Sequence, residues 1–174
     1  LRELDHVPDS LAVAVPAAVV PGVLADAADL GVGGAVVYAS GFGELGPEGQ
    51  RLQAEALAAA RGRTAVVGPN CLGVVNYRQR SAQWGITMPY EHARREGVVA
   101  LAAQSGNVAL TTMMSGRMPA LAYAASLGNQ AAVDVADCLE FYLSDPTVRV
   151  VALVIEGLQD IERFRRLALA AAER

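Results

Sequence analysis

Six short apolar runs punctuate the chain: Leu11–Val15, Gly34–Tyr38, Thr64–Val67, Gly97–Leu101, Leu121–Ala125 and Arg149–Ile155. Most are continuous rather than alternating, the pattern of strands buried on both faces. Segments rich in Ala and Leu lie between most of them, and these predict helices over Ala18–Leu30, Gly46–Arg61, Asn107–Arg117 and Asp134–Leu143, with a further one over Ile161–Glu173. Strand–helix alternation of this kind predicts an α/β fold built from parallel βαβ units with right-handed crossovers.

Gly73–Glu96 breaks the alternation. It carries Trp84, Tyr77, Tyr90, Pro89 and several arginines, and has no clear period. A break of that length reads as a crossing between domains. It divides the chain near residue 80 into two αβ units of three strands each.

Composition narrows the class. The 174 residues are 53% hydrophobic, with most of that from Ala and Val and few aromatics, and 17 are Gly, which suits helices packed closely on a parallel sheet. A formal charge of −4 gives nucleic-acid binding no support. Basic pairs at Arg78/Arg80 and Arg94/Arg95 leave room for a small polyanion. No apolar run is long enough to span a bilayer, and no signal-peptide pattern is present. The two cysteines, Cys71 and Cys138, form no Cys-x-x-Cys, so neither a metal site nor a disulfide framework is expected. The expectation is a soluble cytoplasmic protein and, since the chain starts at Leu1 without Met, a piece of a longer one.

Chemistry gathers at the carboxyl ends of the runs, which read in order VPAA, ASGFGE, GPNCLG, AQSGN, SLGN and IEGL. Ligands of open parallel sheets bind outside the carboxyl ends of the strands. Small residues there let backbone N–H groups approach a ligand, and helix N-termini favour anions. The one-sided bias favours a ligand face over ordinary turns.

Taken singly, the motifs are ambiguous. Gly31-Val32-Gly33-Gly34 ends a helix and precedes a strand, the wrong context for a dinucleotide fingerprint, so helix C-capping explains it better. Ser105 and Asn107 serve a phosphate or merely cap a helix, and capping is the commoner use. Glu156, at the exit of a buried strand, reads equally as a site carboxylate or a solvated turn residue. Asp134, Asp137 and Glu140 share one helix face and read as a solvated first turn favoured by the dipole. His6 and His92 read as surface residues. Cys71 has no evident base or helix end to stabilise a thiolate, which makes it a small residue in a Pro-Asn turn rather than a nucleophile. Asn70 tolerates unusual backbone angles and offers both donor and acceptor.

Together, VPAA, SGFGE, GPNCLG, QSGN, SLGN with downstream acids and Asp145-Pro146, and IEG resemble the NDP-forming acyl-CoA synthetases, similar to the α subunit of succinyl-CoA synthetase. The resemblance covers essentially the whole chain. It implies that residues 1–80 are the second half of a Rossmann-like CoA-binding domain and that 81–174 belong to a flavodoxin-like, succinyl-CoA-ligase-type parallel-sheet domain. Val15, Pro16, Ser40, Gly41, Phe42, Asn70 and Cys71 would line the CoA site, and Ser105 and Gly106 a phosphate site. Glu156 would sit beside a phosphorylated histidine, bonding one ring nitrogen and leaving the other for phosphate. That histidine, in a Ser-His-Thr-Gly-like loop, is expected beyond Arg174, and a Gly-rich first βα unit before Leu1.

The implied activity is acid–CoA ligation driven by a nucleoside triphosphate through an acyl phosphate and the phosphohistidine. CoA, ATP or ADP and Mg2+ would take part, with the nucleotide and metal held outside this chain by an ATP-grasp domain or subunit in a homo- or hetero-oligomer; the fragment alone would be inactive. One departure stands out: the family's Gly-Asn-x-x-Asp reads Gly128-Asn129-Gln130-Ala131-Ala132 here. That substitution motivates an alternative, a CoA- or acyl-CoA-sensing regulatory module of a protein lysine acetyltransferase. A generic NAD-binding domain ranks lowest, for want of a fingerprint.

Overall fold

In a computed structural model of the chain, residues 1–89, 96–117 and 120–173 are described. Tyr90, His92 and the Arg94/Arg95 pair lie outside the described residues. The chain divides into two compact units, Leu1–Cys71 with Gly128–Val133, and Leu72–Leu127 with Asp134–Arg174.

The first unit carries a parallel sheet of β1 (Ser10–Val13), β2 (Gly34–Val37) and β3 (Ala65–Val67), in that spatial order. Ser10 pairs with Gly34 and Gly34 with Ala65. The crossovers are α1 (Val20–Leu30) and α2 (Pro47–Ala60), which pack on each other. Both begin with an early proline, pre-set for a first helical turn, and both end on a left-handed residue, Gly31 and Arg61. Gly31 thus caps a helix, as its sequence context indicates. Val13, Leu24, Ala35, Val37, Phe42 and Val66 form the core, the inward set that continuous apolar strands supply. Gly128–Val133 returns to run antiparallel beside β3: Val133 N–H donates to Val66 O at 3.0 Å, Ala131 to Gly68 at 2.9 Å and Asn129 to Pro69 at 3.0 Å.

The second unit has a five-stranded mixed sheet, ordered β5-β4-β7-β6-β8. Its parallel part is β6 (Val99–Ala103), β7 (Leu121–Ser126) and β8 (Val150–Val154), linked through α3 (Gly106–Met114) and α4 (Val135–Ser144) and followed by α5 (Ile161–Ala172). β6 and β7 are buried along their whole length, and β8 is a half-exposed edge.

Here the structure corrects the expectation of three strands per unit. Within Gly73–Glu96 a hairpin forms, β4 (Gly73–Asn76) and β5 (Ser81–Trp84), with β4 also antiparallel to β7. The physical reason for the miss is local. β5 is an edge with exposed Ser81 and Ala82, so it lacks a buried face. The turn relies on Asn76, whose Oδ1 accepts the Gln79 N–H at 3.0 Å, and on a left-handed Arg80 rather than on glycine.

Each of the six apolar runs overlaps a strand and each of the five helical segments a helix, with ends one or two residues off in several, which places the carboxyl-end loops as the pattern requires.

Candidate functional site

Three strand-end loops of the first unit converge around the backbone of residues 39–44. After β1, half-buried Val15 packs on the core and Pro16 is exposed. After β2, Ser40 is exposed, but the Phe42 ring is 0% exposed and lies in the core. The ring is the loop's anchor, so only backbone at Phe42 is available to a ligand. The loop turns back tightly onto α2 at Gly49, where any Cβ would lie 1.8 Å from Phe42 O, a position only glycine tolerates.

Glu44 then closes the loop on itself. Its carboxylate accepts the N–H of Gly41 at 2.5 Å and of Phe42 at 3.2 Å. It also accepts from Asn129 Nδ2 at 2.5 Å, while Gln53 Oε1 accepts from Gly43 N–H and from the same Asn129 amide. Burial pushes the Glu44 carboxyl up. The hydrogen bonds from Asn129 and from the backbone N–H groups of Gly41, Glu44 and Phe42 outweigh it, leaving the carboxyl below its ordinary value. The N–H groups of Gly41 and Phe42 therefore already hold an anion, the protein's own.

After β3, the Gly68–Pro69 peptide is cis and Asn70 is left-handed at φ 58°. Asn70 N–H donates to Ala39 O at 2.9 Å, which ties this turn to the preceding loop. Its exposed side chain donates to Asn129 Oδ1 at 3.4 Å. Cys71 is buried, and its Sγ lies 3.4 Å from Val37 O as donor, so the thiol pins the ends of β2 and β3 from inside. Beside these loops opens a cleft of about 750 Å³, lined by Ala17, Ala18, Gly41, Leu45, Arg51 and Leu52 among others. Its wall is small at Ala17, Ala18, Gly41 and Gly49 and charged at Glu48, Arg51 and Glu55.

In the second unit Ser105 is the N-cap of α3 and accepts the Val108 N–H at 3.4 Å. Capping thus engages its hydroxyl, while Gly106 opens the helix beside it, in a first turn whose N–H groups have no intrahelical acceptor. Glu156 is exposed just beyond β8. The acids of α4 are not a solvated turn: Asp134 and Asp137 form a reciprocal capping box, and Arg163 of α5 lies 2.7 Å from Asp137 and 2.6 Å from Glu140. Packing of α5 on α4, invisible to local spacing, brings that arginine in. Burial first, then the charges of Asp137 and Asp134, push the Cys138 thiol up to about 12. No group of three or more His, Cys, Asp or Glu side chains that could hold a metal ion occurs among the described residues.

Glu44, Gln53, Asn129 and Gln104 are the residues that motif reading passed over. Glu44, Asn129 and Gln104 stand inside quoted motifs, where glycine and asparagine drew the attention. Gln53, in mid-helix, gave no signal.

The fold and its loops define a two-unit α/β assembly whose strand ends suit a nucleotide-like cofactor. Residues 1–77 match the family described as a CoA binding domain, and residues 96–174 match the succinyl-CoA ligase like flavodoxin domain. The chain belongs to the NDP-forming acyl-CoA synthetases. It is 33% identical over 170 residues to the acetate–CoA ligase [ADP-forming] I of Archaeoglobus fulgidus, covering 95% of this chain and 24% of that protein. It is 34% identical to the α subunit of acetate–CoA ligase [ADP-forming] I of Pyrococcus furiosus, covering 95% of this chain and 36% of the subunit. The structure of the Ca. Korarchaeum cryptofilum acetyl-coenzyme A synthetase 1 with phosphate and ADP superposes with a TM-score of 0.86 at 27% identity, over all of this chain and 37% of that one. The chain therefore spans about a quarter to a third of these relatives. No helix among the described residues is long and apolar enough to cross a membrane.

Proposed function

We propose that the parent protein is an ADP-forming acid–CoA ligase and that this chain supplies its CoA-binding region and the start of its phosphoryl-handling region. The observation that carries this reading is the unbroken order of the six strand-end motifs, each on a carboxyl-end loop of the sheet its run builds. The reaction joins a carboxylic acid to CoA as a nucleoside triphosphate is cleaved, with an acyl phosphate and a phosphohistidine between.

In this reading Val15, Pro16, Ser40, Gly41 and Asn70 face the CoA chain, and Phe42 and Cys71 support their loops from behind. With two of its N–H groups neutralised by Glu44, the 40–43 loop offers a shaped, nearly neutral wall suited to the pantetheine arm rather than to a phosphate. Ser105 and Gly106 offer the positive end of α3 to a phosphoryl group. Glu156, exposed at a strand end, accepts an imidazole N–H and orients the ring so that the opposite nitrogen takes phosphate. ATP with Mg2+, an ATP-grasp partner in cis or in trans, and assembly into an oligomer belong to the same proposal, as does a cytoplasmic location.

The relatives named above are ligases, and nothing in them favours the acetyltransferase-linked sensor. Full-length protein assayed with a panel of short, branched and aryl acids is expected to release ADP beyond the one equivalent of enzyme phosphorylation only when both acid and CoA are present. ADP release that ignores CoA, or none with any acid, would count against the proposal.

A further inference from the structure

Gln104 follows β6 and is 7% exposed. Its backbone N–H continues the β6–β8 pairing, donating to Val154 O at 3.1 Å. Its side chain then does for residues 156 and 157 what a neighbouring strand would have done. Oε1 accepts the N–H of Glu156 at 2.7 Å and of Gly157 at 2.9 Å, and Nε2 donates to Gly157 O at 2.6 Å. Three hydrogen bonds from one buried amide to two consecutive residues leave that turn little freedom.

The next residue after Gln104 is the N-cap Ser105, and the one after that opens α3. A single residue therefore fixes both the exit angle of Glu156 and the start of the helix whose first turn faces the same end of the sheet. We propose that Gln104 is a positioning residue that holds the Glu156 carboxylate in register with the first turn of α3. This rests on the reading of Glu156 as the partner of a phosphoryl-carrying histidine. Gln104 touches no reacting atom; it acts through the backbone that carries Glu156. An apolar residue of equal size at 104 leaves the packing filled but frees the N–H groups of 156 and 157 and the carbonyl of 157.

The test is a double-mutant cycle on the full-length enzyme with Gln104→Met, Glu156→Gln and the pair, following formation of the acid-labile phosphoryl-enzyme from ATP in single turnovers. Calorimetric CoA affinity and the thermal midpoint report folding. Gln104→Met is expected to slow phosphoryl-enzyme formation by about tenfold or more, the scale for losing a partner that orients a working group. CoA affinity should stay within twofold, and the pair should be no slower than Glu156→Gln alone. Equal slowing by Gln104→Met with and without the Glu156 carboxylate would overturn the proposal. So would a wild-type rate in Gln104→Met beside a slow Glu156→Gln, which leaves the Glu156 reading intact. A wild-type rate in Glu156→Gln would overturn that reading and the proposal with it. Should Gln104→Met not fold, Gln104→Glu, which keeps an oxygen toward both N–H groups, takes its place in the cycle under the same non-additivity criterion.

Discussion

Gly128→Ala is the sharpest perturbation of the site's framework. Gly128 is left-handed at φ +55°, and a Cβ built on it lies 2.2 Å from both Pro69 O and Asn70 O. Those carbonyls are backbone and cannot rotate away. Separating them from residue 128 means lifting the 128–133 segment from β3, which breaks the bonds from Asn129 to Pro69 and from Ala131 to Gly68. The left-handed conformation costs an L-residue about 1 kcal/mol, and each lost backbone bond about 1 kcal/mol. The sum is about 3 kcal/mol. Gly31→Ala is the control within the same unit. It is also left-handed, at φ +81°, with nothing within 4 Å of the added Cβ, so it carries the conformational cost alone. Denaturant unfolding of the two variants, with hydrogen exchange at the Asn129 and Ala131 amides, separates the contributions. Gly128→Ala is expected to lose about 2 kcal/mol more than Gly31→Ala and to expose both amides. Equal losses with protection retained would refute the claim that residues 128–133 complete the first unit.

Other outcomes follow from the same geometry. Asp145 is held down to about 2, first by the Thr147 hydroxyl and then, against the opposing effect of burial, by Tyr123, the Thr147 N–H and Arg78. A depressed carboxyl contributes stability that is fully present above about pH 4 and lost as pH falls from about 4 to about 2. Discounted for solvent around the pair, that contribution is about 1 kcal/mol, and Asp145→Asn should flatten the acid limb of a stability profile by that amount. Neither thiol should react with a disulfide reagent at pH 8 in the folded protein, because Cys138 is pushed up to about 12 and Cys71 is buried against a carbonyl, whereas unfolding should release two equivalents. Asn129→Ala should weaken the 40–44 loop by about 2 kcal/mol, since it removes a charge-assisted bond to Glu44 and a neutral one to Gln53; proteolytic nicking after unchanged global unfolding would show it.

Much of the fold was legible in the chain, and the reasons are particular. Val36, Val37, Leu101 and Ala102 are buried on continuous apolar strands, so runs without alternation marked the parallel sheets directly. The β4–β5 hairpin escaped because Ser81-Ala82-Gln83-Trp84 presents no buried face, and its pairing partner is supplied by tertiary structure. Of the candidate site, the loops were readable because Gly, Pro and Asn punctuate backbone locally. Their cross-links were not, since Glu44 and Asn129 meet across 85 positions and Gln104 and Glu156 across 52. Phe42 shows the limit most plainly: a residue of the candidate loop turns its ring to the core and leaves only its backbone outside.

The central claim is that these strand-end loops bind CoA. It is tested most directly by calorimetric titration of the full-length protein with CoA and with NAD, in the wild type and in Asn70→Ala. CoA should bind saturably and NAD should not. Asn70→Ala should weaken CoA by about fivefold, near the 1 kcal/mol of one hydrogen bond, with the thermal midpoint lowered only by the small cost of a left-handed alanine in a folded protein. Preferential NAD binding, or CoA affinity indifferent to Asn70, would contradict the account.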